Sequence, residues 1–109
     1  MLRGTKEVSG EAFEAVSTTA GAVIKSTAEV GGDLGLAAKG AIEGAITGAK
    51  EFGLSVEEAA SAAATGAFNA AGEIGSTAAA QVRDAVRGTI AGVKVVLKEP
   101  FRHGPGRSR

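Results

Sequence analysis

The chain has 109 residues with 12 basic and 12 acidic side chains, so its formal net charge is zero, and it contains no cysteine, tryptophan or tyrosine. The lack of cysteine excludes a disulfide framework, a thiolate metal site and a cysteine nucleophile. The length suits a single domain, but alanine is the most common hydrophobic residue, and burying alanine removes little apolar area from water, so we expect a thin core.

The charges are unevenly distributed along the chain. Residues 1–73 hold five basic and ten acidic side chains, whereas residues 74–109 hold seven basic and two acidic ones. The two regions should therefore attract each other, either within one fold or between neighbouring molecules.

Apolar residues recur in steps of three and four from Thr5 to about Val30 and again from Leu34 to Phe52, which predicts helix in both stretches. Between them, Gly31 and Gly32 weaken the helix and Asp33 could cap a new one. The pattern leaves open whether the helix kinks or breaks there.

A sharper boundary is predicted at residues 53–58. Gly53 suits the left-handed position that ends a helix, Ser55 can cap the next helix, and Glu58 completes a capping box. We therefore predict a tight turn that brings the flanking helices back antiparallel.

The helical pattern then continues from Val56 to Leu97, with a softer point at Gly72 and Gly75, until Pro100 stops it. We predict an all-α fold of long, glycine-kinked helices in an antiparallel hairpin of up to four helical segments. Its single duplicated domain spans residues 1–99, with halves at about 5–52 and 56–99, and residues 100–109 form a basic, disordered tail.

Two stretches are similar at an offset of 44 residues, KGAIEGAITGAKEFG at 39–53 and RDAVRGTIAGVKVVL at 83–97. A strip of glycines lets another helix approach closely, as in small-xxx-small packing motifs. The sequence therefore predicts a helix-packing interface at five glycines, Gly40, Gly44, Gly48, Gly88 and Gly92.

A basic stripe is predicted on a helix over residues 82–98. Arg83, Arg87, Lys94 and Lys98 fall within roughly 60° of one another on a helical projection, beside an apolar sector. This layout is typical of a helix lying in the plane of an anionic membrane, and also of a bundle helix with a solvated edge. Arg102 in the tail would add to the anionic-surface contact.

No residue pattern indicates catalysis, a cofactor or a metal site. The single histidine, His103, lies in the predicted tail, so a triad, a metal site or a histidine general base is not expected. Nucleic acid is not an expected partner either, because the first two-thirds of the chain is acidic and aromatic stacking residues are lacking.

The stretch AKGAIEGAITGAKEFG at 38–53, with AVRGTIAGVKVV at 85–96 and TKE at 5–7, resembles the eleven-residue amphipathic repeats of perilipins, synucleins and late-embryogenesis proteins. The similarity is one of composition and covers about half of the chain. It implies helices that form on lipid droplets, membranes or dry surfaces, and hence reversible surface binding.

From the residues themselves we expect a non-catalytic structural or assembly protein that self-associates, or docks on a larger complex, through its Gly/Ala-rich helix faces. The alternative is a peripheral membrane or lipid-surface protein that uses helix 82–98. No apolar leader follows Met1, so a cytoplasmic location is expected, with peripheral membrane attachment under the alternative.

Overall fold

The computed structural model describes the backbone of residues 2–96 and the side chains of residues 11–96 except Thr89. The elements are α1 (Leu2–Glu29), α2 (Leu34–Phe52), α3 (Val56–Ile74), α4 (Ser76–Ala85), β1 (Gly88–Ile90) and β2 (Val93–Val95). The all-α class is confirmed, with one short β-hairpin added after the fourth helix. The predicted tail lies outside the described residues.

The helix is fully interrupted between α1 and α2. Gly31 adopts a left-handed conformation with φ of 75°, and Asp33 caps α2 by accepting a hydrogen bond from the Leu36 amide at 3.1 Å. The left-handed turn and the new cap together separate two helices where the sequence alone allowed a kink.

The predicted turn after α2 is confirmed. Gly53 is left-handed with φ of 71° and ψ of 23°, and its amide bonds back to the last turn of α2. Ser55 accepts a hydrogen bond from the Glu58 amide at 3.2 Å and so caps α3. The third junction is looser, because Gly75 is extended between α3 and α4 and makes no side-chain cap.

Helix α3 is the centre of the fold and packs against α1, α2, α4 and β2. Ten of its 19 residues are buried, and seven of these are alanine. The largest side chains that are fully buried come from the surrounding elements: Ile24, Ile42, Ile46, Val82 and Val86. Small residues on the central helix and branched residues around it make up the core.

The closest helix approach joins α1 to α3. A Cβ atom placed on Gly66 would lie 2.1 Å from the carbonyl oxygen of Ser17, and one on Gly21 would lie 3.5 Å from the Cβ of Ala70. Only glycine at position 66 permits the two backbones to approach this closely. The contact is therefore a crossing of two helices at small residues. The glycine spacing predicted such a contact for α2, not for α1 and α3.

Helices α1 and α3 run in the same direction, since Ser17 meets Gly66 and, further along both helices, Lys25 Nζ lies 2.8 Å from Glu73 Oε1. Their contact is the most extensive in the fold, and no contact joins α1 to α4 within the described residues. The predicted antiparallel hairpin of two long rods is not confirmed, because the break at Gly31 lets α1 pack beside α3.

The prediction of a helix over residues 82–98 is wrong. Helix α4 ends at Ala85, and β1 pairs antiparallel with β2 in the register Gly88 to Val95 and Ile90 to Val93. The physical reason is composition, because Thr, Ile and three Val residues between 89 and 96 are β-branched and favour strands. Val93 and Val95 are buried while Lys94 between them is exposed, which is the alternation of a strand.

Burial is nevertheless shared at the 44-residue offset. Both members of five pairs are buried although the second partners occupy helix, loop and strand: Leu34 and Ala78, Ala38 and Val82, Ile42 and Val86, Ile46 and Ile90, Ala49 and Val93. The apolar period thus predicted which residues enter the core more accurately than it predicted their secondary structure.

Replacing Gly66 by Ala should destabilise the fold by about 1–3 kcal/mol, because the new methyl group overlaps backbone atoms of Ser17 that cannot rotate away. Chemical denaturation followed by circular dichroism measures this change. Gly72→Ala, on the same helix with open space at its Cβ position, is the matched control and should stabilise by up to about 1 kcal/mol. Equal effects at the two positions would contradict the close crossing.

The hairpin turn offers a second test. Ala91 and Gly92 both have positive φ, 53° and 81°, as a two-residue type I′ turn requires. A left-handed conformation costs a residue other than glycine about 1–2 kcal/mol, so Ala91→Asn, which creates the preferred Asn-Gly pair, should raise the midpoint of thermal unfolding. Ala91→Val should lower it. If both variants melted like the parent protein, the turn assignment would be wrong.

Candidate docking surface

Three predicted glycines lie on one line of α2. Gly40, Gly44 and Gly48 are spaced by four residues, so they fall within about 80° of one another on the helix. A Cβ atom at any of the three would meet nothing within 4 Å. Within the described residues, this strip packs against no other part of the chain, and it faces open space.

Helix α1 extends this surface. Between α1 and α2 lies a shallow groove of about 340 Å³. Its lining has no charged residue and consists of small or apolar side chains: Ala15, Val16, Thr19, Ala20, Val23, Ala41, Gly44 and Ala45. We call the glycine strip together with this groove the α1–α2 face.

Charged residues border the α1–α2 face. Lys39, Glu43 and Lys50 are exposed on α2, and helical geometry puts them beside the glycine strip and not in it. Two large apolar side chains of the same helix also remain in water, Leu36 at 65% and Phe52 at 79% exposure. An uncharged centre with a charged rim is the composition of many protein–protein interfaces.

The other two predicted interface glycines have a different role. Gly88 is the first residue of β1 and Gly92 lies in the turn of the β-hairpin, with φ of 88° and 81°. Neither belongs to a helix. Their place in a helical glycine strip is therefore wrong. These residues provide conformations that a side chain would oppose.

The sequence pattern did not identify the glycines at which α1 and α3 pack together, Gly21 and Gly66. The available signal was weak: Ser17 with Gly21 and Gly66 with Ala70 are small residues at four-residue spacing. Many such pairs exist in a chain this rich in alanine, so only the tertiary structure identifies the pairs that meet.

The predicted basic stripe is dispersed over three kinds of structure. Arg83 is exposed on α4 with its guanidinium carbon 5.9 Å from the ring centre of Phe68, Arg87 follows α4 with Nη1 3.8 Å from Asp84 Oδ1, and Lys94 is exposed on β2. Lys98 and Arg102 lie outside the described residues. The residues do not share one helix face, because no helix extends beyond Ala85 before the hairpin.

Two kinds of site are not found in the described part of the chain. No group of three or more His, Cys, Asp or Glu residues there could hold a metal ion. Among the helices described, none combines the length and hydropathy needed to cross a membrane.

Comparison with known proteins gives no functional information. No family model, no curated protein and no solved structure matches this chain.

Gly44→Ala should raise the free energy of unfolding of the isolated chain by up to about 1 kcal/mol, because the methyl group enters solvent while alanine favours the helix. Urea denaturation at low protein concentration measures this effect. A destabilised variant would mean that some part of the chain covers Gly44, and the α1–α2 face would then be closed.

Proposed function

We propose that this chain is a non-catalytic structural or assembly protein that associates with a helix of a second copy, or of a larger complex, through the α1–α2 face. The observation that carries the proposal is the open glycine strip, where a Cβ atom on any of three successive helical turns would meet nothing within 4 Å in the described chain.

Glycine in the middle of a helix is energetically costly. Each one destabilises a helix by about 1 kcal/mol relative to alanine, so Gly40, Gly44 and Gly48 together weaken α2 by about 3 kcal/mol. For Gly35, a fourth glycine of the same helix, packing within the chain is a reason for this cost, because a Cβ there would lie 3.2 Å from that of Ala85. The three outer glycines have no such reason within the described chain, which favours a partner outside it.

The shape of the surface favours a helix as that partner. A strip without side chains lets a second helix axis come close, where van der Waals and Cα–H···O contacts replace the missing side-chain packing. The groove beside the strip is open and uncharged. A second copy of α2 presents the same strip, so a symmetric pair could bring two glycine lines together.

The lipid-surface alternative has no comparable support. It relied on a continuous basic and apolar helix over residues 82–98, and the described residues form a helix end and a β-hairpin there. The basic side chains that remain visible are each exposed on a different element.

Sedimentation equilibrium tests self-association directly. The parent protein should show a mass above that of one chain at concentrations of about 1 mM, at which an association free energy near −4 kcal/mol already gives measurable dimer. Gly44→Leu should shift the protein toward monomer, because a leucine in the strip holds the partner helix away. It should remain folded, since a Cβ atom at position 44 meets nothing within 4 Å in the described chain.

Gly72→Leu is the matched control, with the same substitution at an exposed glycine of α3 that is also open. It should leave the mass unchanged. A monomeric parent protein at every concentration would contradict self-association, and an assembly unaffected by Gly44→Leu would contradict the role of the glycine strip.

A further inference from the structure

A second groove lies between α1 and α3, on a different side of α1 from the α1–α2 face. It encloses about 350 Å³. Phe13 and Glu14 of α1 line it, together with Glu58, Ser61 and Ala62 of α3. Both carboxylates are exposed, and none of the described side chains that line the groove is basic. The groove thus combines negative charge with an aromatic side chain.

The described chain ends at the edge of this groove. The Ser61 hydroxyl donates a hydrogen bond to the carbonyl oxygen of Val96 at 2.5 Å, and Ser61 itself is 5% exposed. Val96, the last described residue, therefore lies beside a residue that lines the groove. This bond is long-range in sequence and fixes the exit point of the hairpin relative to α3.

Segment 97–109 has the complementary chemistry. It carries four basic side chains and one acidic side chain, which gives a formal charge of +3. Leu97 and Phe101 are apolar, and Lys98 and Arg102 stand next to them in the sequence. Basic side chains alternating with apolar ones match a groove that offers both carboxylates and an aromatic ring.

The segment is long enough to fill the groove. Six residues from 97 to 102 span up to about 20 Å when extended. The part of α3 that lines the groove, from Glu58 to Thr65, rises about 10 Å. The segment is therefore long enough to extend past both carboxylates from Val96.

We propose that segment 97–109 docks in the α1–α3 groove of its own chain. Lys98 and Arg102 pair with Glu14 and Glu58, and Phe101 covers Phe13. This contact joins the acidic region of the chain to its basic region. It concerns a surface separate from the α1–α2 face and does not depend on the proposed assembly.

The absence of cysteine permits a direct proximity experiment. A nitroxide attached through His103→Cys should broaden the amide signals of Glu14, Ser61 and Ala62 in a nitrogen-15 spectrum, while Gly40 and Gly48 on α2 keep their intensity. Glu14→Gln with Glu58→Gln should restore most of the lost intensity. So should about 1 M salt, which shortens the screening length to about 3 Å.

The matched control is Glu43→Gln with Glu51→Gln, which removes the same charge from exposed positions of α2 and should leave the broadening in place. All four carboxylates are exposed, so the fold of each variant is checked by its amide spectrum. Broadening that is uniform, absent, or insensitive to Glu14→Gln with Glu58→Gln would overturn the proposal.

A mixing experiment separates docking within one chain from docking between chains. Nitroxide-bearing protein without nitrogen-15 is mixed with nitrogen-15 protein that carries no label. Docking within the chain predicts that the groove signals of the nitrogen-15 protein keep their intensity. Broadening of the groove signals in the mixture would mean that a second copy supplies the segment, and it would overturn the proposal.

Discussion

The close approach of α1 to α3 is the constraint on which the rest of the structure depends. The central helix contributes mainly alanine to the core, and a methyl group makes useful contacts only when the facing backbone is near. Gly66 permits that distance, since any side chain there would overlap Ser17. The branched residues of α2 and α4 then pack against the closely spaced pair of α1 and α3 and complete the core. A wider crossing would leave the alanines without partners.

The sequence predicted local boundaries well and long-range pairing poorly. Gly53 and Ser55 act through bonds to residues a few positions away, so their types and spacing identify the turn. The pairing of α1 with α3 depends on contacts between residues such as Ser17 and Gly66, far apart in the chain. The apolar pattern of a helix continues through the hairpin because the positions that it marks are buried there too. The β-branched residues nevertheless favour strands, and Ala91 adopts the left-handed conformation of the hairpin turn.

The glycines of this chain have three different structural roles, which the sequence alone does not distinguish. Gly66 permits close helix contact, Gly53 and Gly92 adopt left-handed conformations in turns, and the strip of Gly40, Gly44 and Gly48 does neither within the described chain. Four-residue spacing identified the strip as a possible surface, which the structure leaves uncovered. The same spacing led to the incorrect prediction that Gly88 and Gly92 belong to a helical glycine strip, because spacing carries no information on backbone conformation.

We infer from the open glycine strip of α2 that a partner binds there. A dilution series of nitrogen-15 amide spectra tests it residue by residue, since glycine signals are well separated. The Gly40, Gly44 and Gly48 signals should shift with protein concentration, while those of Gly21 and Gly66 at the internal crossing stay fixed. Strip signals that do not move over the whole concentration range, or shifts confined to the hairpin, would contradict it.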